Sequence, residues 1–184
     1  GGTLKNIDAL AKFKHLKDVW LSEVYGFECF PTRSQLPHLK RLCFWSVPKG
    51  ACEAARAQFK DIESLVIKQP RSKQWLAANL NNPLRRWDGR EGVGAATARK
   101  AMRAYAGAHK KLSALEAESA SDELKTEKTE ILKEFIAVFN AIDAKHSIDT
   151  MEREEIWEAF CKLAELAAAD AKSQERIWEQ NAEF

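Results

Sequence analysis

The richest concentration of chemically capable side chains lies in NPLRRWDGREG, residues 82–92. Asp88 and Glu91 are three residues apart and could act as an acid and base pair, while Arg85, Arg86 and Arg90 could hold an anion. No Ser, Cys or His adjoins them to complete a nucleophilic set. The favoured reading is structural: Arg and Asp pair, and Trp87 anchors a junction. His15, His38 and His146 are scattered at turns, and His109 falls on an apolar helical stripe, where a packed, hydrogen-bonded ring is expected. Cysteines at 29, 43, 52 and 161 include no C-x-x-C pair, so neither a zinc site nor a disulfide framework follows. The expectation is a chain with no catalytic residues, no metal and no cofactor, in a reducing cytoplasm.

Charge offers a second chemistry. The net charge of +2 conceals opposed halves: residues 1–115 carry 21 Lys and Arg against 9 Asp and Glu, and residues 116–184 carry 8 against 18. From Lys68 to Lys111 eleven cations face only Asp88 and Glu91, interleaved with Trp75, Trp87 and Tyr105. Arg99, Arg103 and Lys110 lie along one side of a helix. Arg85, Arg86, Arg90, Arg99 and Arg103 form an alternative anion-binding set, and a phosphate backbone could be neutralised there. No nucleic-acid motif accompanies these residues, so the basic face is expected instead to meet the acidic helices that follow Glu116.

The elements that must position these groups are set by a repeat. Leu16, Leu39 and Ile62 align at an unbroken offset of 23 residues, as do Val19, Leu42 and Leu65, and then Leu21, Phe44 and Ile67. LKDVWLSEV, LKRLCFWSV and IESLVIKQP share an apolar-x-x-apolar-x-apolar-x-x-apolar pattern, with Phe13, Leu36 and Phe59 three residues upstream. Fixed-period similarity of this length marks units too small to bury their apolar faces alone.

That layout resembles the leucine-rich repeat of bacterial proteins, over roughly residues 4–70, with Leu36-Pro37-x-Leu39 as the lead-in. The resemblance implies an α/β fold: a short solenoid with a small parallel sheet, followed by an all-α C-terminal region. The family's polar residue at the last consensus position is absent here, where Val24, Val47 and Pro70 stand. Irregular loops after each strand are the expected consequence. Leu4, Ile7 and Leu10 read as the tail of an earlier unit, so the array is expected to continue upstream.

Three segments follow: residues 1–70 as the repeat array, 71–94 as a breaker-rich connection, and 95–184 as a helical bundle or cap. Ala98, Met102, Tyr105, His109 and Leu112 form one stripe; Ile131, Phe135, Val138, Phe139 and Ile142 a second; Ile156, Phe160, Leu163 and Ala167 a third. ESASDE and KHSIDT separate them, with Asp149 and Glu152 at capping-box spacing. Ile177 and Trp178 are expected to extend the last helix. No stretch is long and apolar enough to span a membrane.

Alternation along a strand sends the residues between the apolar positions to the opposite, concave face. Asp18, Arg41 and Ser64 form one row there; Trp20, Cys43 and Val66 the next; Ser22, Trp45 and Lys68 the third. Trp and Arg dominate binding hot spots. Trp20, Ser22, Arg41, Cys43, Trp45 and Lys68 are therefore the expected contact residues for a protein partner, with nucleic-acid binding through the basic region as the alternative and an unspecified enzyme third.

Overall fold

Strands recur where the 23-residue offset puts them. The computed structural model describes residues 2–115 and 121–184, in a mixed α/β architecture that divides into two compact units, Gly1–Leu80 and Asn81–Phe184. In the first, β1 (Gly2–Thr3) precedes a 3-10 helix, Ile7–Lys12, and is followed by β2 (Asp18–Ser22), β3 (Val24–Tyr25) and β4 (Arg41–Trp45). Then come α1 (Lys49–Gln58), β5 (Ser64–Lys68) and α2 (Lys73–Asn79). Strands β2, β4 and β5 make a parallel sheet in that order, with Asp18 opposite Arg41 and Arg41 opposite Ser64, so the sequence offset is also the hydrogen-bond register. Strands β1 and β3 pair separately, also in parallel.

The sheet's inner rows bury Val19, Leu42 and Phe44 with Leu36, Leu39 and Phe59, while Leu21, Leu65 and Ile67 are half-buried. Helix α1 closes over them with Ala51, Cys52 and Ala55, small residues that let the helix lie close to the strands. Phe30 meets Phe44 and Phe59 edge to face, at 5.1 and 5.7 Å between ring centres. Phe13 departs from its expected role. It ends the 3-10 helix and is 61% exposed, whereas its counterparts Leu36 and Phe59 are buried; in the chain before β2 the buried residue is Ile7.

The loops after the strands are more regular than expected. Glu23, Ser46 and Gln69, again 23 apart, all adopt the left-handed conformation, with φ of +52°, +54° and +52°. Backbone bonding runs on through the turn, from Glu23 N–H to the Trp45 carbonyl and from Ser46 N–H to that of Lys68. Three polar residues in register thus form a turn ladder, one residue before the position where the resemblance led a polar residue to be sought. Its side chains interlock: Tyr25 and Ser46 hydroxyls lie 3.1 Å apart, Arg71 Nε donates to Ser46 Oγ at 2.8 Å, and Arg71 Nη2 donates to Gln69 Oε1 at 3.2 Å.

The stretch expected as a connection, residues 71–94, has structure of its own. Ser72 caps α2, and Asn82 caps a 3-10 helix from Pro83 to Trp87. In the second unit α3 (Ala95–Leu115), α4 (Asp122–His146), α5 (Thr150–Leu166) and α6 (Ala171–Asn181) follow. The buried side of α3 is Ala98, Ala101, Met102, Tyr105, Ala108 and Leu112; His109 is exposed, one position off that stripe. In α4, Ile131, Phe135, Phe139 and Ile142 are buried and Val138 is half-buried. In α5, Ile156, Phe160 and Leu163 are buried, and Asp149 with Glu152 forms the capping box. The ESASDE break begins outside the described residues, with Asp122 and Glu123 opening α4. Ile177 and Trp178 do not extend α5. A turn through Ala168 at φ +60° separates them, and Asp170 caps a new helix by accepting from Ser173 N–H. No helix among the described residues is long and apolar enough to cross a membrane.

Candidate recognition surface

The outer rows of the three-stranded sheet gather the residues singled out by alternation. Trp20 is 72% exposed, Trp45 38% and Val66 37%, with Cys43 half-buried between Trp20 and Val66. Exposed large apolar side chains on adjacent strands are the unusual feature of such a surface. Ser22, Trp45 and Lys68 lie side by side in register. Lys68 Nζ stands 5.6 Å from the centre of the Trp45 ring, and Trp45 Nε1 donates to Gln69 Oε1 at 3.2 Å. The turn ladder thus reaches onto the face and orients one of its two indoles. Trp20 has no such tether among the described residues.

At the other end of the strands Arg41 grips Asp18 with both Nε and Nη2, the latter 3.0 Å from Oδ2. The Arg41 hydrogen bond holds the Asp18 carboxyl below its ordinary range, and the same contact raises the guanidinium pKa. Lys40 and Glu63, likewise 23 residues apart, pair at 2.5 Å. These pairs are open to water and add little stability. Their effect is to leave a face that is charged but self-paired at one end and apolar with a cation at the other.

The alternative set of Arg85, Arg86, Arg90, Arg99 and Arg103 is divided between engaged and exposed side chains. Arg90 Nη2 donates to Glu155 Oε1 at 2.5 Å, both side chains about a quarter exposed, and Arg85 is turned inward with Nη1 donating to the Asn82 carbonyl at 3.4 Å. Arg86 is exposed. Arg99 and Arg103 remain exposed on α3 and form no ion pair among the described residues. The expected meeting of the basic region with the acidic helices is found in part: Arg90 pairs with Glu155 and Lys111 with Glu134 at 2.6 Å, while Lys100 and Lys110 form no ion pair among the described residues. Helices α3 and α4 bury their apolar sides, and the cations point away.

Sequence reasoning missed a polar cluster inside the second unit. Trp87, wholly buried, donates from Nε1 to Glu155 Oε2 at 2.8 Å, so one carboxylate holds both Trp87 and Arg90. Glu152, 4% exposed, lies 3.0 Å from His146 Nε2 and accepts from Asp149 N–H at 3.1 Å. The 68 residues between Trp87 and Glu155 hide their partnership from any local pattern. A buried carboxylate with several donors is a satisfied structural group. A cavity of about 510 Å³ lies between the start of α4 and the α5–α6 turn, but neither His nor Cys lines it. The four cysteines are free, and among the described residues no group of His, Cys, Asp and Glu could hold a metal. Burial pushes the Cys52 thiol pKa up. No protein-family model matches the chain, and neither curated proteins nor solved structures give a significant match.

Proposed function

We propose that the first unit is a short segment of a leucine-rich-repeat-type solenoid and that its outward strand face binds another protein. The 23-residue register of β2, β4 and β5 and the recurrent left-handed turn at Glu23, Ser46 and Gln69 support the solenoid. The observation that carries the binding role is Trp20, 72% exposed, one strand away from Cys43, two from Val66 and diagonal to Trp45. An indole that contributes nothing to its own core exposes the apolar area on which binding hot spots are built. Lys68 adds a cation whose stem and charge a partner's carboxylate could use.

The test is quantitative affinity capture with the intact chain and with Trp20→Ala plus Trp45→Ala. Proteins retained by the parent should be lost from the double variant, with unchanged far-ultraviolet circular dichroism, since both rings reach solvent. An identical set of retained proteins rejects the strand face as the binding surface. Arg41→Ala should matter less, because Asp18 already engages that guanidinium.

A further inference from the structure

The second unit carries two charged stripes that match each other. On α3, Arg99, Arg103 and Lys110 are spaced by four and then seven residues; on α5, Glu154, Glu158 and Glu165 have the same spacing in the same direction. In an α-helix those intervals correspond to about 6 and about 10.5 Å of rise, and each set stays within an arc of about 40°. All six side chains are exposed, and none forms an ion pair among the described residues. Helix α3 contains no Asp or Glu at all, so nothing on its own surface offsets the cations.

The shapes agree with the charges. Beside the basic stripe a groove follows α3 and α4, opening to about 500 Å³ where Ala96, Ala104 and Val138 form its floor and Arg99 and Arg103 its wall. It continues past Gly107 toward Ile131 and Phe135. Alanine and glycine at the floor permit another helix to approach closely. On α5 the acidic stripe starts beside Met151, 68% exposed, and half-buried Cys161 sits within it. Burial, and after it the Glu165 and Glu158 carboxylates, raise the Cys161 thiol pKa, which places those carboxylates around the sulfur. Lys162 flanks this stripe without pairing to it. A phosphate backbone would engage the cations and leave the apolar floor uncovered, whereas an amphipathic helix with Met and three glutamates fits both floor and wall.

We infer that the α3 groove docks the α5 stripe of a second copy of this chain, with Arg99 meeting Glu154, Arg103 meeting Glu158 and Lys110 meeting Glu165. A contact of about three helical turns is small for a permanent interface, so the association is weak and sensitive to salt.

Sedimentation velocity of the full chain tests this at about 50 mM and about 500 mM NaCl, over concentrations up to about 300 μM. Concentration-dependent association at low salt, lost at high salt, is expected. Arg99→Glu with Arg103→Glu should weaken it at least about tenfold, as should Glu154→Arg with Glu158→Arg. Mixing the two reversed variants should restore association, because each then supplies the charge that the other needs. A parent chain that stays monomeric at low salt overturns the proposal. So does undiminished self-association of either reversed variant, or a mixture that remains monomeric while circular dichroism shows both variants folded.

Discussion

Residues 1–80 and residues 81–184 bury their apolar surface by different means. In the first unit the strand contacts are repeated at a fixed interval: Leu42 sits beside Val19 and Leu65, Phe44 beside Leu21 and Ile67, and Ser46 stands in the turn that Glu23 and Gln69 also make. In the second, the helices meet through stripes of changing composition, and single side chains such as Glu155 tie distant segments together. Repetition spreads stability over many equivalent contacts. A clasp concentrates it in one residue.

Phe44→Ala should give the largest effect. The ring is wholly buried and touches Phe30 edge to face, so truncation is expected to cost about 3–5 kcal/mol through lost burial and a residual cavity. Urea denaturation should show the loss, and hydrogen exchange should show it first in β2, β4 and β5. If exchange accelerates equally throughout α3 to α6, the contrast between the units fails and they behave as one cooperative block.

Glu155→Ala probes the clasp. Removing this carboxylate leaves the buried Trp87 N–H and the Arg90 guanidinium without the acceptor they share, a loss of about 2–3 kcal/mol. Glu155→Gln should recover part of it by keeping one oxygen as acceptor. A cost below about 0.5 kcal/mol for the alanine variant would mean that this segment is held by Leu84 and Trp87 packing alone.

These two positions also mark what a single sequence can and cannot convey. Phe44 was legible because its spacing from Leu21 and Ile67 is constant, and the same offset gave strand register and the direction of Trp20 and Trp45. Glu155 was not, because its partners lie 65 and 68 residues away and follow no period. The capping box at Asp149 and Glu152 was readable, since both halves lie within one turn. The break before α6 was not: Ala168 adopts a left-handed conformation without the glycine that usually announces one. His109 was misplaced because α3 puts Ala101 and Ala108 inward, and alanines leave a weak periodic signal. The turn ladder was missed through a one-residue displacement, with polar side chains at 23, 46 and 69 rather than 24, 47 and 70.

Ser46 sharpens that last point. Ser46→Ala removes the hydroxyl that meets Tyr25 and Arg71 and should cost about 1–2 kcal/mol. Ser46→Gly removes the same hydroxyl but relieves a positive φ, and should be less destabilising than the alanine variant by about 1 kcal/mol. Thermal melts of the two variants side by side decide it. The reverse order would show that the turn stores no backbone strain and that the ladder works through side chains only.

The smallest effect belongs to the second unit and appears only as a function of pH. The Ser173 backbone N–H, and then its hydroxyl, hold the Asp170 carboxyl below its ordinary range at the start of α6. A group whose pKa is depressed by folding stabilises the fold above its unfolded value, and that contribution disappears as pH falls through the folded value. Asp170 is open to solvent, so the contribution is small. Melting temperatures measured from neutral pH down through the acidic range, for the parent and for Asp170→Asn, should differ in slope. The parent should lose stability more steeply on acidification, because asparagine keeps a capping oxygen but has no charge to lose. Parallel curves would mean that the carboxylate acts only as an oxygen acceptor. The start of α6 would then owe its stability to the hydrogen bond alone, as the Ser46 turn in the first unit owes part of its own to an uncharged hydroxyl.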